Sequence, residues 1–385
     1  MSRHRAANPS ARRRDPVLKP TTEEELAEAI VSADNPLSIR GGGTRGTLTD
    51  GTPLTTRGLS GITLYEPGAL TIVAKAGTPV SEIEQALAAE NQMLAFEPTD
   101  YRALLGTEGE PTIGGVVASN SSGPRRVQAG ACRDFLLGVR FVDGTGSIVK
   151  NGGRVMKNVT GYDLARLMCG ARGTLGVLTE VSLKVLPKPE YVVTLVLEGL
   201  AHTASAKFLT DAMKTQYDVT GAARLPEGIV GERGAVVLRL EGFEASVKYR
   251  AKALAEALGG ARHETDPEEN ARIWRAVRDV QPFADRDGDV WSLSIKPTDF
   301  MQLAEANAQE NKLIDWACGR VWMLMPPRTD MRAKMNGIDG HATLVRGGAG
   351  SLPRFHPEAA SLAVMAQALR QKYDPKGILN PGLMG

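Results

Sequence analysis

The sequence predicts an α+β fold in which a loop-rich N-terminal domain precedes a domain of antiparallel strands backed by helices. Three observations lead there. Two glycine-rich segments, Arg40-Gly41-Gly42-Gly43-Thr44-Arg45-Gly46 and Thr112-Ile113-Gly114-Gly115 through Gly123, each follow apolar residues in the first half of the chain. Short apolar strands there run into glycine loops and then into capped helices. Beyond Pro187-Lys188-Pro189 glycine density falls, and strand-like runs alternate with longer amphipathic helices.

Thr21-Thr22-Glu23-Glu24-Glu25 reads as a helix start, with Thr21 and Glu24 spaced as a capping box. Leu26, Ile30 and Ala33 continue one apolar face, and Asn35-Pro36 ends it. Leu37-Ser38-Ile39 is a strand that delivers the chain to the first glycine loop. Residues 69–76 form a second strand, and Gly77-Thr78-Pro79 opens a helix with threonine as cap and proline in its first turn. Residues 138–142 and Asp143-Gly144 predict a strand and a hairpin turn. Residues 162–168 predict a short helix, and residues 177–185 alternate as a strand. After the prolines come strands over 191–197, 235–240 and 290–295, with helices over 204–214, 245–258, 267–280 and from Thr298. A helix over 357–373 runs into the turn-rich Asp374-Pro375-Lys376-Gly377-Ile378-Leu379-Asn380-Pro381-Gly382.

Composition narrows the function classes. The 385 residues suggest two or three lobes. With 46 Lys and Arg against 44 Asp and Glu, no strong field points to nucleic acid. Cys132, Cys169 and Cys318 lack metal or cluster spacing and read as buried, reduced thiols of a cytoplasmic protein. No apolar run is long enough to span a bilayer. The arginine-rich start has no apolar core of a secretory signal and reads as a disordered basic arm.

Glycine permits left-handed backbone and close approach, so Gly41, Gly42 and Gly43 suit an anion nest, with Arg40 or Arg45 adding charge. The spacing matches neither a Rossmann fingerprint nor a P-loop. In the second segment Gly114 and Gly115 open a helix whose first amides could face the same phosphates. Ser119, Asn120, Ser121 and Ser122 add groups suited to a ribityl chain or a ring edge. Two such segments point to one dinucleotide held from two sides.

At this level the sequence resembles a known family. The Arg-Gly-Gly-Gly loop, Ala76-Gly77-Thr78, the Gly114-Gly115 segment with Asn120 and Gly123, and Lys157-Asn158-Val159-Thr160-Gly161-Tyr162-Asp163-Leu164 occur in the order found in FAD-linked oxidases. Gly173-Thr174-Leu175-Gly176-Val177 and Asn380-Pro381-Gly382 complete the series. It is similar to the vanillyl-alcohol-oxidase/PCMH-type flavoproteins, and within them to the FAD-binding subunits of bacterial glycolate oxidases.

That resemblance implies a two-lobed PCMH-type FAD-binding domain over residues 17–189 after the basic arm 1–16. A cap follows over 190–335, then a C-terminal segment, 336–385, that returns to the flavin. It implies that Arg40, Gly41, Gly42, Gly43 and Thr44 form the pyrophosphate loop. Gly114, Gly115, Ser119 and Asn120 would be the second FAD segment. Gly173, Gly176 and Val177 would lie along the nucleotide, and Asn380 would return to the flavin region. Tyr162 and Asp163 are explained equally well by helix entry and capping. Members with covalent flavin carry histidine just after the first glycine loop. Thr44 stands there, so FAD is expected to be non-covalent.

The histidines His4, His202, His263, His341 and His356 form no closely spaced pair in sequence, and no metal site is expected. Oxidation of a 2-hydroxy acid needs a cation for the carboxylate and a base for the hydroxyl. Arg278, Arg328 and Arg346 are candidate cations, and His341 and His356 candidate bases. The implied reaction converts glycolate to glyoxylate. The alternatives are a non-catalytic FAD subunit supporting a paired flavoprotein, and a scaffold that binds little flavin. The implied partners are a larger glycolate oxidase flavoprotein subunit and an iron–sulfur subunit, at the inner face of the membrane.

Overall fold

The computed structural model describes residues 17–46, 49–154, 161–307, 311–335, 337–347 and 352–384. The basic arm and Lys157-Asn158-Val159-Thr160 lie outside the described residues.

The first lobe is small. Helix Glu23–Val31 lays Leu26 and Ile30 against the parallel pair Leu37–Arg40 and Thr52–Thr55. Its cap is Thr22, one residue later than expected: Thr22 Oγ1 accepts from the Glu25 N–H at 3.1 Å, while Glu25 reaches back to the Thr21 N–H at 2.7 Å. With Thr22 as the cap, Glu25 is the residue three positions on that closes this box. Ile378 and Leu379, from the far end of the sequence, complete the lobe's core. Leu37 N–H donates to the Ile378 carbonyl at 2.8 Å, and Asn380 N–H to the Leu37 carbonyl at 3.1 Å.

The second lobe is an antiparallel sheet in the order Ile62–Glu66, Thr71–Lys75, Val177–Lys184, Leu136–Val142, Ile148–Gly152. Helix Val80–Ala89 packs on it through Val80, Ile83 and Leu87. Thr78 does not cap that helix. Its hydroxyl donates to the Lys75 carbonyl at 2.7 Å and accepts from the Gly61 N–H at 2.9 Å, leaving Pro79 at the cap position. Helix Leu164–Met168 is capped by Asp163, whose carboxylate accepts from the Arg166 N–H at 3.0 Å, and Tyr162 is exposed.

The third unit is an antiparallel sheet of eight strands among the described residues, in the order Arg262–Glu264, Tyr191–Glu198, Ala235–Gly242, Gly221–Leu225, Asn311–Asp315, Arg320–Met325, Asp289–Ile295, Gly340–Arg346. Helices His202–Met213, Glu244–Ala257 and Phe300–Ala306 cover one face. Helix Pro267–Arg278 covers part of the other, where Ile273, Trp274 and Val277 pack. The strand Gly340–Arg346 lies past the boundary drawn at 335 and is nonetheless an edge strand of this sheet, because it pairs with Asp289–Ile295 and buries Ala342.

Between this sheet and the second lobe lies a buried ionic quartet. Arg239 donates from Nη1 and Nη2 to the Glu97 carboxylate at 2.8 and 3.0 Å, and the Arg125 side chain is paired with Glu241. Arg125 N–H also donates to Glu97 Oε2 at 2.6 Å. Among the described residues no helix is long and apolar enough to cross a membrane.

Candidate functional site: two joined clefts

The first glycine loop and the second glycine segment line one cleft of about 850 Å³, open to solvent. Arg40 to Gly46, Gly114, Gly115, Ser119, Gly173, Gly176, Val177 and Asn380 all face it. The glycines there do two different jobs. A Cβ on Gly42 would sit 1.6 Å from the Glu110 carbonyl oxygen, one on Gly41 2.1 Å from Thr112 Oγ1, and one on Gly114 2.7 Å from Ala76. These three let protein strands touch. Gly43 differs: its φ is +76° and nothing lies within 4 Å of its missing Cβ. Among the described residues, the N–H groups of Gly42, Gly43 and Thr44 meet no protein acceptor. Beside them the buried Arg45 guanidinium has an unpartnered Nη1. A left-handed turn with free amides and a buried cation is an anion nest.

The helix Ile113–Ala118 contributes differently from the expectation. Ile113 N–H donates to the Thr78 carbonyl at 3.0 Å, Gly114 N–H to the Ala76 carbonyl at 2.8 Å and Val116 N–H to the Thr112 carbonyl at 3.0 Å, so these amides are spent inside the protein. Ser119 Oγ donates to the Gly115 carbonyl at 2.7 Å, and Asn120 Oδ1 accepts from the Arg133 N–H at 3.1 Å. The segment shapes the wall of the cleft and does not present a row of free donors.

Asn380 ties the tail to this wall. Its Oδ1 accepts from the Ile39 N–H at 2.7 Å and the Thr49 hydroxyl at 3.1 Å, and its Nδ2 donates to the carbonyls of Arg172 at 2.9 Å and Ile39 at 3.3 Å. The residue also holds φ at +46°. Asn380→Ala deletes these bonds at a left-handed position. It is expected to cost about 2–3 kcal/mol, read as a lower denaturation midpoint.

A second cleft of about 920 Å³ opens from the first, and Arg45, Ser119 and Arg172 line both. Its guanidinium groups rest on aromatic rings: Arg45 on Tyr101 at 5.3 Å, Arg126 on Trp316 at 4.5 Å, Arg172 on Phe355 at 4.5 Å, and Arg320 between Trp316 at 4.7 Å and Trp322 at 4.1 Å. Burial brings Arg172 down to about 10, with Arg45 and Arg354 adding to the effect, so it stays a cation at neutral pH. Trp316 is held by an unusual backbone. Trp316, Ala317 and Cys318 have φ of +51°, +49° and +76° in succession. The turn is fixed by Asp315, which accepts from the Trp316 N–H at 2.8 Å, and by Trp316 Nε1 donating to the Gly123 carbonyl at 3.0 Å. Three left-handed residues cost on the order of 1 kcal/mol or more each, and here they hold a ring at the cleft.

Comparison with known proteins settles the family. The model of an FAD binding domain matches residues 15–152. Glycolate oxidase subunit GlcE of Escherichia coli is 37% identical over 369 residues, spanning 94% of this chain and 95% of that protein. The chain belongs to the GlcE family of glycolate oxidase subunits. Glycolate oxidase subunit GlcD of Bacillus subtilis is 31% identical over 222 residues, covering 55% of this chain and 44% of that one. In fold the GlcE-family chain superposes on alkyldihydroxyacetonephosphate synthase with a TM-score of 0.67 at 16% identity, over 95% of this chain and 76% of that structure. The fold is thus the PCMH-type FAD-binding fold with its cap.

The cofactor of this GlcE-family chain is FAD, and the first cleft fits it. The Gly43 turn, the free amides beside it and the orphaned Arg45 nitrogen could hold the diphosphate. Gly173, with φ of +75°, and Val177 at the start of its strand could flank the nucleotide.

The catalytic candidates divide. His341 lines the second cleft, and its ring meets that of His356 edge-on at 5.6 Å. The two histidines are therefore neighbours in space, which their sequence separation concealed: strand Gly340–Arg346 brings His341 back beside the chain at 356, where Ala342 N–H donates to His356 Nδ1 at 3.2 Å. No group of three metal-ligating side chains occurs among the described residues. Arg278 is paired with Asp279 at 2.8 Å and lines a separate crevice with Glu84. Arg346 donates to the carbonyls of Phe283 at 2.8 Å and Leu104 at 3.1 Å and acts as a structural clamp. Arg328 lies outside both clefts. Their places at the site are taken by Arg126, Arg172, Arg320 and Arg354, which carry no motif in sequence. Two stand beside a motif: Arg126, three residues after the Gly123 that ends the second glycine segment, and Arg172, directly before Gly173.

Proposed function

We propose that this chain is the non-covalent FAD subunit of a glycolate-oxidase-type complex and oxidises a short 2-hydroxy acid to the 2-oxo acid. The observation that carries the reading is the second cleft, rich in arginine and continuous with the glycine-loop cleft through Arg45 and Arg172. Arg320 and Arg126 would hold the substrate carboxylate. His341 would take the hydroxyl proton as the α-hydrogen leaves as hydride. When bound, FAD supplies the hydride acceptor. Thr44 at the position after the glycine loop, which offers no imidazole for a flavin bond, supports non-covalent binding.

The separate naming of GlcE and GlcD as glycolate oxidase subunits favours a multi-subunit assembly. Helix Ala360–Tyr373 has no buried residue, and Leu362, Val364 and Met365 are each more than half exposed on it. Such a face is suited to a larger flavoprotein partner. The same naming supports a second reading, in which this chain binds FAD and the paired subunit performs the oxidation.

The two readings part in one experiment. The chain is purified alone with its flavin and mixed anaerobically with glycolate or D-lactate. Loss of the oxidised flavin band without a partner supports catalysis here. An unbleached spectrum that bleaches only after the partner is added supports the second reading, and a colourless chain that takes up no FAD defeats both.

A further inference from the structure

We propose that Arg172 is the cation that raises the reduction potential of the bound FAD, standing where the two clefts meet and facing the negative charge that hydride delivers. The inference rests on the FAD site and the hydride-transfer reading above, and gives a task to a residue they leave without one. Only Arg45, Ser119 and Arg172 line both clefts. Arg45 belongs with the diphosphate turn beside Gly43, and the Ser119 hydroxyl is spent on the Gly115 carbonyl. Arg172 has no such commitment. Among the described residues its guanidinium meets no carboxylate and no hydrogen-bond acceptor, only the Phe355 ring at 4.5 Å. A ring seat orients a guanidinium while leaving its N–H fork open.

The backbone pays to keep this side chain in place. Arg172 has φ of +52°, a left-handed conformation that arginine rarely adopts, and Gly173 follows at +75°. Contacts from three separate parts of the chain hold it there. Its N–H donates to the Ala118 carbonyl at 2.8 Å, its carbonyl accepts from Asn380 Nδ2 at 2.9 Å, and Phe355 seats the guanidinium. A strained residue fixed so firmly, with its fork open to ligand space, fits a charge that the protein itself does not supply. Burial first, then Arg45 and Arg354, work against the Arg172 cation, and no aspartate or glutamate lines either cleft. Negative charge arriving at the junction is therefore stabilised. Oxidation of a 2-hydroxy acid breaks its C–H bond, gives the hydroxyl proton to a base and moves the hydrogen with its electron pair to the flavin. The flavin thereby gains one negative charge. The ring that takes the hydride has to lie within reach of a substrate in the second cleft, so it belongs at the junction. A fixed cation there favours reduced over oxidised FAD.

The test equilibrates the FAD-loaded chain with a reference dye during anaerobic reduction by dithionite, which needs no substrate. Arg172→Asn removes the charge and keeps a residue that tolerates left-handed backbone. It is expected to shift the two-electron reduction equilibrium tenfold or more toward oxidised FAD, about 30 mV. Affinity for oxidised FAD should change less than threefold. Arg172→Lys, which keeps the charge and loses the planar fork, should shift the equilibrium threefold or less. Phe355→Leu leaves the Arg172 backbone alone and takes away the seat. It should move the equilibrium the same way by two- to fivefold, and it carries the test if Arg172→Asn does not fold. An unshifted equilibrium in Arg172→Asn, or in Phe355→Leu where only that variant folds, overturns the proposal. So does an Arg172→Asn chain that loses affinity for oxidised and reduced FAD equally, since the guanidinium then serves the diphosphate. A shifted equilibrium in a chain that glycolate does not bleach removes the 2-hydroxy-acid reading and leaves this inference standing. Bleaching by glycolate with an unshifted equilibrium in the variant removes this inference alone.

Discussion

Glu97→Ala is expected to cost about 3–5 kcal/mol of stability and to loosen the seam between the second lobe and the large sheet. The basis is the desolvation of the quartet. Arg239 is nearly inaccessible and points both terminal nitrogens at Glu97, with Trp274 4.4 Å beneath it. Removing the carboxylate leaves Arg239 with only Glu241, already engaged by Arg125, and breaking a buried pair from one side carries that order of penalty. The same group gives acid sensitivity of defined sign. Burial works against the Glu97 carboxylate, but Arg239 and Arg125 outweigh it and hold it down to about 2, against an ordinary 4.5. A depressed carboxylate contributes stability that is fully present above the ordinary value and lost as pH falls from about 4.5 toward 2, about 3 kcal/mol in all. Urea unfolding at pH 7 and pH 3 reads this out. Glu97→Gln should be less stable at pH 7 and lose less on acidification than the parent; an equal acid loss in both would place the sensitivity elsewhere.

The second large effect concerns the flavin. Gly115→Val is expected to lower FAD affinity by at least tenfold while changing the stability of the flavin-free chain by less than about 1 kcal/mol, since glycine is itself a poor helix residue. A Cβ at Gly115 would meet only side chains, Thr112 Oγ1 at 3.3 Å, which must give slightly, and Arg45 Nε at 4.0 Å, at a residue that lines the first cleft. Gly114→Val provides the contrast. Its Cβ would press on Ala76 from 2.7 Å, so that variant should lose stability together with flavin. Flavin fluorescence titration beside thermal melting separates them. If Gly115→Val retains full affinity, the diphosphate does not pass this wall.

Much of the architecture was legible because local chemistry and tertiary packing agree. The strand at 177–184 and the helix over Pro267–Arg278 formed where the apolar pattern put them, and the turn at Asp143 where the Asp143-Gly144 pair did. The missing pieces lacked such signals. Arg320–Met325 is buried at every position, so it shows no alternation, and Gly221–Leu225 is small and central in the sheet. The clefts were half legible. Glycines announced the first, although Gly41, Gly42 and Gly114 prove to be demanded by neighbouring protein atoms. The second is made of single arginines from distant elements, four of which, Arg45, Arg126, Arg172 and Arg320, are seated on aromatic rings. The turn at Trp316 was invisible for a further reason: neither glycine nor asparagine marks its three left-handed residues, which are held by the Asp315 cap and by the tertiary bond from Trp316 Nε1 to the Gly123 carbonyl.

The pairing of Leu37 with Ile378 and Asn380 also sets an order of assembly. During synthesis the first lobe emerges early, but the edge that closes it is translated more than three hundred residues later. Until then Leu26, Leu37 and Leu54 lack the Ile378 and Leu379 side chains that seal their core, and long-range closure of this kind is slow. The first cleft, which Asn380 lines, is thereby completed only once residues 378–380 dock. A chain cut before Ile378 leaves the bonds of Asn380 to Ile39, Thr49 and Arg172 unmade, and the wall of the first cleft stays open on that side.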